Sequence, residues 1–346
     1  MSSTATTIPL ARTAPDGPGN WQQQLSDAIT DPGELLDRLG LTPRSLGQSL
    51  DIPPSVLESF PLRVPRAFVA RMQPGNPHDP LLLQVLPLGQ EGDDTPGFVS
   101  DPLREADANS VPGLLHKYHG RALLLVAPHC AVHCRYCFRR HFPYEENTPG
   151  RREWDAALKY LADHEDITEV IYSGGDPLAA PDRLLAWLTA RIAAIPHIRR
   201  LRIHTRTPVM MPDRVTDALL EWLADSGLAT TLVVHCNHPA EIDREVAAAM
   251  ARLRGAGVTL LNQSVLLRGI NDDEETLAAL SEKLFSAGIL PYYIHMLDRV
   301  QGVAHFDVPE TRARSLMQAV RNRLPGYLVP RLARELPGEG AKTILG

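Results

Sequence analysis

The chain has few lysines, few cysteines and no long apolar run. Only four of its 35 basic residues are lysine (Lys117, Lys159, Lys283 and Lys342), so a lysine here is a candidate for a role that needs a primary amine. No apolar stretch is long enough to span a bilayer, and the first seven residues (Met1-Ser-Ser-Thr-Ala-Thr-Thr) lack the basic start and apolar stretch of a signal peptide. Four cysteines, three of them clustered, argue against a disulfide-stapled secreted protein. We therefore expect a cytoplasmic protein.

Net charge and composition indicate which kinds of protein and partner fit this sequence. A formal net charge of −6 argues against general affinity for nucleic acid or for anionic membranes, so neither is an expected partner. The 346 residues suffice for one large domain or two modest ones, and 44% hydrophobic with 22% charged residues is ordinary for a soluble enzyme.

The strongest functional signal is a cysteine loop. Cys130, Cys134 and Cys137 have the spacing C-x3-C-x2-C, which can place three thiolates on three irons of a [4Fe–4S] cluster and leave the fourth iron open to a ligand that is not protein. The alternative is a zinc site, because His129, His133 and His141 lie beside the cysteines. Zinc loops usually carry a second C-x2-C pair, which this sequence lacks. A zinc-stabilised, non-catalytic binding module stays open as the alternative from a different class.

The first third of the chain differs from the rest. Residues 21–41 carry apolar residues near helical spacing, and residues 52–102 are rich in proline, which predicts short elements joined by turns. We interpret residues 1–115 as a helical, proline-rich cap that packs on the main domain.

From residue 121 onward, apolar runs alternate with amphipathic helical stretches. Strands are predicted at 122–127, 169–172, 201–204, 231–235, 259–267 and 292–297, and helices at 153–163, 182–194, 212–225, 241–254, 274–287 and 310–323. Six strand–helix units indicate a parallel α/β architecture with right-handed crossovers. An open doubly wound sheet and an incomplete barrel both fit this pattern.

Polar residues at the strand ends favour the barrel. Ser173-Gly-Gly-Asp176, His204-Thr-Arg206, His235-Cys-Asn-His238 and Asp298 each follow a predicted strand, and sites built from many successive strands are typical of barrels, whereas an open sheet uses one switch point. The fold prediction is therefore α/β with a partial (βα)6 TIM-like barrel. Residues 116–328 form the barrel, and residues 329–346 form a C-terminal segment that carries Lys342.

The motifs together resemble a known family. The cysteine loop continued by Phe138-Arg-Arg-His141 resembles radical S-adenosylmethionine (SAM) enzymes, specifically the lysine 2,3-aminomutase group. The likeness runs from about residue 110 to the C-terminus, through Tyr172-Ser-Gly-Gly-Asp-Pro, Arg206-Thr-Pro-Val, His238-Pro-Ala-Glu-Ile, Gln263-Ser-Val-Leu-Leu-Arg-Gly-Ile-Asn-Asp272 and Pro291-Tyr-Tyr-Ile-His. Arg63-Val-Pro65, the stretch from Asp79 to Pro87, and Cys137-Phe-Arg-Arg-His-Phe-Pro-Tyr144 resemble the branch that makes β-lysine for elongation factor P.

The resemblance implies a SAM site at the strand ends. Gly174 and Gly175 would let the backbone approach the cofactor closely, with Asp176 beside them. His235 and Gln263 would also face SAM. A glycine turn after a strand is by itself more often structural.

The resemblance also implies pyridoxal 5′-phosphate (PLP) on Lys342. Only lysine, among the basic side chains, can lose a proton and form a Schiff base, and Lys342 stands in a loop rich in glycine. Tyr118 and Arg121 would hold the phosphate, with Lys117 nearby. A solvated tail lysine, and a packed turn at Tyr118, are the structural alternatives.

Three residues are implied for the substrate, L-lysine. Arg139 would bind its carboxylate as a bidentate fork, and Asp298 would bind the ε-ammonium. Glu335 stands where lysine aminomutases that act on free lysine carry a second aspartate. The alternative interpretation of each of these residues is an ordinary charged side chain at the surface.

The implied activity is conversion of L-lysine to β-lysine by an isomerase, with the product attached to elongation factor P by a separate lysyl ligase. An electron donor such as flavodoxin or ferredoxin is implied, and a homo-oligomer is possible, smaller than that of relatives with a zinc-binding C-terminal extension. A catabolic enzyme acting on free lysine, or on another amino acid, is the alternative. Cys236 is interpreted as a buried core thiol.

Overall fold

A computed structural model describes residues 21–46, 54–143, 147 and 151–346. The ten strands found in these described residues form one sheet in sequence order, with β1 and β10 at the two edges. The strands are β1 Asn109–Val111, β2 Leu114–Tyr118, β3 Arg121–Ala127, β4 Glu169–Gly174, β5 Arg200–Thr205, β6 Ala229–Val234, β7 Thr259–Val265, β8 Leu290–His295, β9 Arg331–Arg334 and β10 Thr343–Ile344.

The helices lie mostly between the strands. They are α1 Trp21–Ser26, α2 Pro32–Leu39, α3 Pro54–Ser59, α4 Arg66–Val69, α5 Arg151–Asp163, α6 Asp182–Ala193, α7 Thr207–Met210, α8 Asp217–Asp225, α9 Arg244–Gly255, α10 Glu274–Ser286 and α11 Glu310–Arg323. Three of the barrel helices begin at side-chain caps, where Thr216, Asp243 and Asp273 accept from the backbone N–H three residues on.

The strands β3 to β9 pair in parallel, while β1–β2, β2–β3 and β9–β10 pair antiparallel. The central strands are apolar because helices cover the sheet, as in β3, where five of seven residues are buried. Six βα units follow one another from β3 to α11. The predicted partial (βα)6 barrel is therefore confirmed.

Several element boundaries differ from the prediction by a few residues, and two of these differences have a local cause. The helix expected at 212–225 begins at Asp217, because Pro212–Arg214 forms a 3-10 turn and Thr216 supplies the cap. The amphipathic stretch at 21–41 divides into α1 and α2, because Asp31 caps a new helix that has Pro32 in its first turn.

The N-terminal region shares its core with the barrel. Leu81 and Leu86 belong to the same buried apolar cluster as Leu124 of β3 and Ile203 of β5. Strand β2 runs from Leu114 to Tyr118, across the boundary predicted at 115/116. The division into residues 1–115, 116–328 and 329–346 stays a prediction. In the described ranges, no helix has both the length and the apolar character of a membrane span.

Candidate active site

The cysteine loop follows β3 and is anchored to the N-terminal region. The N–H of His133 donates to the carbonyl of Arg63 at 2.9 Å, and the N–H of Arg135 donates to the carbonyl of Gln84 at 2.9 Å. Buried Arg135 is also paired with buried Glu91. These contacts fix the path of the loop that carries Cys130, Cys134 and Cys137.

The three thiols interact with one another. Burial, and then the neighbouring thiols, raise the pKa of Cys130, and burial together with Cys134 raises the pKa of Cys137 to about 11. In the part of the chain that the structure describes, no three His, Cys, Asp or Glu side chains already have the spacing of a metal site. The loop nevertheless offers three free thiols, and it lies among guanidinium groups.

One of these guanidinium groups belongs to Arg206, at the end of β5. Its Nη1 donates to Cys134 Sγ at 2.8 Å. Its Nε is buried and has no hydrogen-bond partner among the described residues. A set of three thiols with cationic donors around it fits an anionic iron–sulfur cluster in chemistry and charge.

Gly174 and Gly175 pack directly against the start of the cysteine loop. A Cβ on Gly175 would lie 2.5 Å from the carbonyl oxygen of His129, and one on Gly174 would lie 2.5 Å from that of Ala127. The amide of Gly175 also donates to the Ala127 carbonyl at 2.7 Å. The close approach here is between two protein segments, and the predicted SAM contact stays a prediction.

Asp176 has its carboxylate engaged by the protein. It accepts from Thr205 Oγ1 at 2.6 Å, from the Arg206 and Thr207 amides at 2.7 and 3.0 Å, and from the Leu178 amide at 3.0 Å. These bonds tie the end of β4 to the end of β5. The geometry therefore supports a positioning role for this carboxylate.

His235 and Gln263 are brought together at the ends of β6 and β7. Gln263 Nε2 lies 3.0 Å from His235 Nε2. Burial, followed by the positive charges of Arg206, Lys342 and Arg139, lowers the pKa of His235 to about 3. The imidazole is therefore neutral at physiological pH, and the pair lies within the electrostatic range of Arg206, Lys342 and Arg139.

Arg139 is held by a carboxylate that the sequence analysis missed. Its Nε and Nη2 donate to Glu105 at 2.6 and 2.9 Å, and its Nη1 donates to Ser173 Oγ at 2.8 Å and to the Gly174 carbonyl at 3.2 Å. Both Arg139 and Glu105 are buried. This links the proposed substrate residue to the glycine turn after β4.

An ion-pair chain continues from Glu105 to Lys342. Lys117 Nζ lies 3.1 Å from Glu105 and 3.4 Å from Glu335, and Lys342 Nζ lies 2.7 Å from the other oxygen of Glu335. Burial works to raise the pKa of Glu335, but Lys342 and Lys117 lower it to about 2. Glu335 is therefore ionised, and Lys342 is held at the barrel rather than in a solvated tail.

Tyr118 and Arg121 lie at the β2–β3 turn. The guanidinium of Arg121 stacks 4.5 Å from the Tyr118 ring, and the Tyr118 hydroxyl lies near the Glu335 carboxylate. Burial, and then Glu335, raise the pKa of Tyr118. Tyr118 thus joins the ion-pair chain directly, whereas Arg121 reaches it through the tyrosine.

Asp298 follows β8 and lies half-buried near the same charges. Burial, and then Glu335, raise its pKa to about 7, although Lys342 opposes the shift. The structure therefore brings Arg139, Asp298, Glu335 and Lys342 into one electrostatic unit. Cys236 is buried, as expected.

Glu105 and Glu241 are the site carboxylates that sequence reasoning did not assign. Glu105 lies in a 3-10 turn, Glu105–Ala108, and Glu241 ends another, Pro239–Glu241. Glu105 carries no motif of its own. Glu241 lies within His238-Pro-Ala-Glu-Ile, a stretch that resembles the aminomutase group but to which no role was assigned. Their partners come from distant segments, so one sequence offers no signal for the pairing.

Comparison with known proteins identifies the family. Residues 124–280 match the sequence model of the Radical SAM superfamily. L-lysine 2,3-aminomutase of Escherichia coli (strain K12) is 54% identical over 326 residues, which cover 94% of each chain. The Haemophilus influenzae protein of the same name is 50% identical over 325 residues, covering 94% of this chain and 95% of that one. A radical SAM methyltransferase structure from Sphaerobacter thermophilus overlays with a TM-score of 0.46 at 19% identity, covering 64% of this chain and 68% of that chain.

The first of these relatives is aligned over 94% of its own length, so the likeness extends well beyond the region matched by the Radical SAM model at residues 124–280. The resemblance read from the motifs is confirmed. The chain is an enzyme of the isomerase class, and it belongs to the L-lysine 2,3-aminomutase family of the Radical SAM superfamily.

Proposed function

We propose that this enzyme converts L-lysine to β-lysine, and that the product serves the modification of elongation factor P. In this proposal Cys130, Cys134 and Cys137 hold a [4Fe–4S] cluster, SAM binds beside it, and Lys342 holds PLP. The observation that carries the proposal is the ion-pair chain from Arg139 through Glu105, Lys117 and Glu335 to Lys342, beside Asp298.

The charges of this chain suit the two ends of a lysine molecule. Arg139 offers positive charge to the α-carboxylate. Its N–H groups already donate to Glu105, Ser173 and the Gly174 carbonyl, so a bidentate contact with the substrate requires Arg139 to exchange some of these partners. Asp298 and Glu335 offer negative charge to the ε-ammonium. Because Asp298 and Glu335 are half-buried, their attraction for charged ligands is screened less than at the open surface. The same carboxylates disfavour a substrate with an acidic side chain.

The cysteine end supports the proposed radical chemistry. A cluster bound there would supply one electron to cleave SAM into methionine and a 5′-deoxyadenosyl radical. Three thiols, the donors of Arg206 and the neutral His235–Gln263 pair surround that end. In this proposal these side chains would limit the access of water and so protect a reactive intermediate from side reactions.

The Lys342 end supports PLP binding. PLP bound there would link the substrate amine and stabilise the radical through which nitrogen moves from C2 to C3. Glu335 holds the Lys342 ammonium at 2.7 Å, Lys117 pairs with the same carboxylate, and Arg121 stacks on Tyr118. We propose Tyr118, Arg121 and Lys117 as the donors for the phosphate. Lys342 is the proposed catalytic lysine.

The role in elongation factor P modification rests on the branch motifs: Arg63-Val-Pro65, Asp79 to Pro87, and Cys137 to Tyr144. We propose that a separate lysyl ligase attaches the β-lysine, and that flavodoxin or ferredoxin reduces the enzyme. A catabolic role with free lysine is the second reading, and it predicts activity without any need for the ligase.

The first test is an anaerobic assay. Reconstituted enzyme is incubated with SAM, PLP, dithionite and L-lysine, and β-lysine and 5′-deoxyadenosine are quantified. Both products are expected. Deoxyadenosine without β-lysine would reject the substrate, and neither product from protein with an intact cluster would reject the chemistry. Colourless protein with zinc at the three cysteines would favour the binding module.

A second test concerns Lys342. Borohydride reduction of PLP-loaded enzyme, followed by peptide mapping, should label Lys342. Lys342→Arg keeps the charge but cannot be trapped, so it is the matched control. Label on Lys159, which pairs with Asp163 on the surface of α5, would contradict the assignment.

A further inference from the structure

Arg206 is a buried cation in direct contact with one of the three loop cysteines. It is 6% exposed, and its Nη1 donates to Cys134 Sγ at 2.8 Å. Its backbone amide is held by Asp176 at 2.7 Å, which fixes the residue where β5 ends. The contact therefore comes from a rigid strand end and not from a mobile surface side chain.

The guanidinium is fixed on its other side by acceptors from two further segments. Nη2 donates to Gln84 Oε1 at 2.7 Å and to Glu241 Oε2 at 2.9 Å. Glu241 is fully buried and also accepts from the Asn237 and His238 amides at 2.9 and 3.0 Å. The N-terminal region and the end of β6 thus aim Arg206 at the cysteine.

This arrangement has a consequence for electron transfer. Reduction adds one electron to a cluster, which makes it one unit more negative, so hydrogen bonds to its sulfur ligands and nearby positive charge stabilise the reduced form. The effect is large here because the guanidinium is buried, where charges are screened weakly. Glu241 acts in the opposite direction, since its carboxylate partly cancels the charge of Arg206.

We propose that Arg206 tunes the cluster. Its charge and its N–H donation to Cys134 raise the reduction potential of the cluster, and the negative charge of Glu241 limits the size of this increase. Arg206 is a positioning residue, because it acts through the cysteine and not on the substrate. The inference rests on the proposed cluster at Cys130, Cys134 and Cys137. The Arg206–Glu241 pair would then determine how readily the cluster accepts an electron from the reductant.

The test measures the potential of the cluster in variants that contain it. Wild type, Arg206→Gln, Arg206→Lys and Glu241→Gln are reconstituted without air, iron and sulfide are counted, and the reduced cluster is titrated by electron paramagnetic resonance. Arg206→Gln should lower the equilibrium constant for reduction of the cluster at least tenfold. For a one-electron step this is a fall of about 59 mV or more in the reduction potential. Arg206→Lys should lie between it and wild type, because lysine keeps the charge but loses the fork. Glu241→Gln should shift the potential upward.

Arg214→Gln is the matched control. Arg214 is likewise a buried arginine paired with a carboxylate, Asp182, but it donates to no cysteine: its other partners are the Leu178 and Ala180 carbonyls. The cluster in Arg214→Gln should have the same reduction potential as the cluster in the wild type. An unchanged potential in Arg206→Gln with a full cluster overturns the inference. Should that variant fail to hold a cluster, Glu241→Gln decides: an upward shift supports the inference, and no shift overturns it. A wild type without a cluster would instead refute the proposed function.

Discussion

At the residue scale, the substrate end of the barrel balances three carboxylates against three cations. Glu105 pairs with Arg139 and Lys117, and Glu335 pairs with Lys117 and Lys342. Asp298 is the carboxylate left with the weakest compensation. Burial and its neighbour Glu335 therefore raise its pKa, while Glu335 itself stays ionised.

The affinity for lysine should depend on pH through Asp298. Its pKa is about 7, so the carboxyl is neutral below that pH and charged above it. Only the charged form attracts the ε-ammonium, so KM for lysine should rise as pH falls through 7. Each pH unit below 7 should raise KM by up to about tenfold, since one unit is worth about 1.36 kcal/mol.

KM measured between pH 6 and 8.5 checks this expectation. Asp298→Asn is the control, because it removes the titrating group and should give a high KM with little change over the same range. A wild-type KM that is independent of pH would contradict the assignment of Asp298.

Glu105 should matter for turnover more than for binding. Glu105→Gln keeps the shape but removes the charge that orients Arg139 through two hydrogen bonds. Arg139 would still bind a carboxylate, but in a displaced position, and a misplacement of about 1 Å can cost up to about a hundredfold in rate. We expect kcat to fall at least about tenfold while KM does not rise.

Steady-state kinetics separates these two constants, and Glu105→Asp, which retains the charge, should recover part of kcat. A Glu105→Gln variant that raises KM at unchanged kcat would show that Glu105 contributes only to binding.

Gly175 should tolerate no side chain. A Cβ there would meet the backbone of His129 at 2.5 to 2.9 Å, and backbone cannot move aside as a flexible side chain can. Gly175→Ala should lower the free energy of unfolding by about 1–3 kcal/mol and displace the cysteine loop. Urea denaturation and iron content after reconstitution measure the two effects.

Gly255→Ala is the control, because the structure places nothing within 4 Å of its Cβ position in helix α9. It should be neutral or stabilise by up to about 1 kcal/mol. Equal losses in the two variants would contradict the packing argument.

At the element scale, the C-terminal hairpin positions Lys342. Strand β9 extends the parallel sheet beside β8, and β10 returns antiparallel to it, with Thr343 opposite Arg334. Leu345 is buried in the cluster of α10 and α11, and its amide donates to the Leu332 carbonyl at 2.9 Å. The proposed PLP lysine is therefore held by a strand immediately after it.

Leu345→Ala should loosen this hairpin. The side chain is 7% exposed, and removing a buried leucine costs about 2–5 kcal/mol. Hydrogen exchange at residues 343–345 should accelerate, and borohydride trapping of Lys342 should lose yield. Ile344→Ala is the matched control, because Ile344 is 47% exposed and its loss should change stability by no more than about 0.5 kcal/mol. Equal trapping in all three proteins would show that β10 does not position the lysine.

At the scale of the whole molecule, the hydrophobic periodicity of the sequence is enough to predict the barrel, but it does not predict the side-chain contacts within the site. Parallel strands buried on both faces leave apolar runs, so all six βα units could be predicted within a few residues. The cysteine loop and Lys342 were found because spacing and residue rarity mark them. Glu105 and Gln84 could not be found, because most of their partners lie 34 to 157 residues away and these contacts form only in the folded chain.

The N-terminal region and the barrel should unfold as one unit. Trp21 is 2% exposed, and its ring lies 4.3 Å from the guanidinium of Arg214 in the barrel. Leu81 and Leu86 share the core with β3, so separating the regions would expose a continuous apolar surface. A chain that keeps only Trp21, and another that keeps only Trp154 of α5, should therefore report the same urea midpoint by fluorescence. A lower midpoint for Trp21 would mean that the cap opens first, and that the contacts of Gln84 with Arg206 are lost before the barrel unfolds.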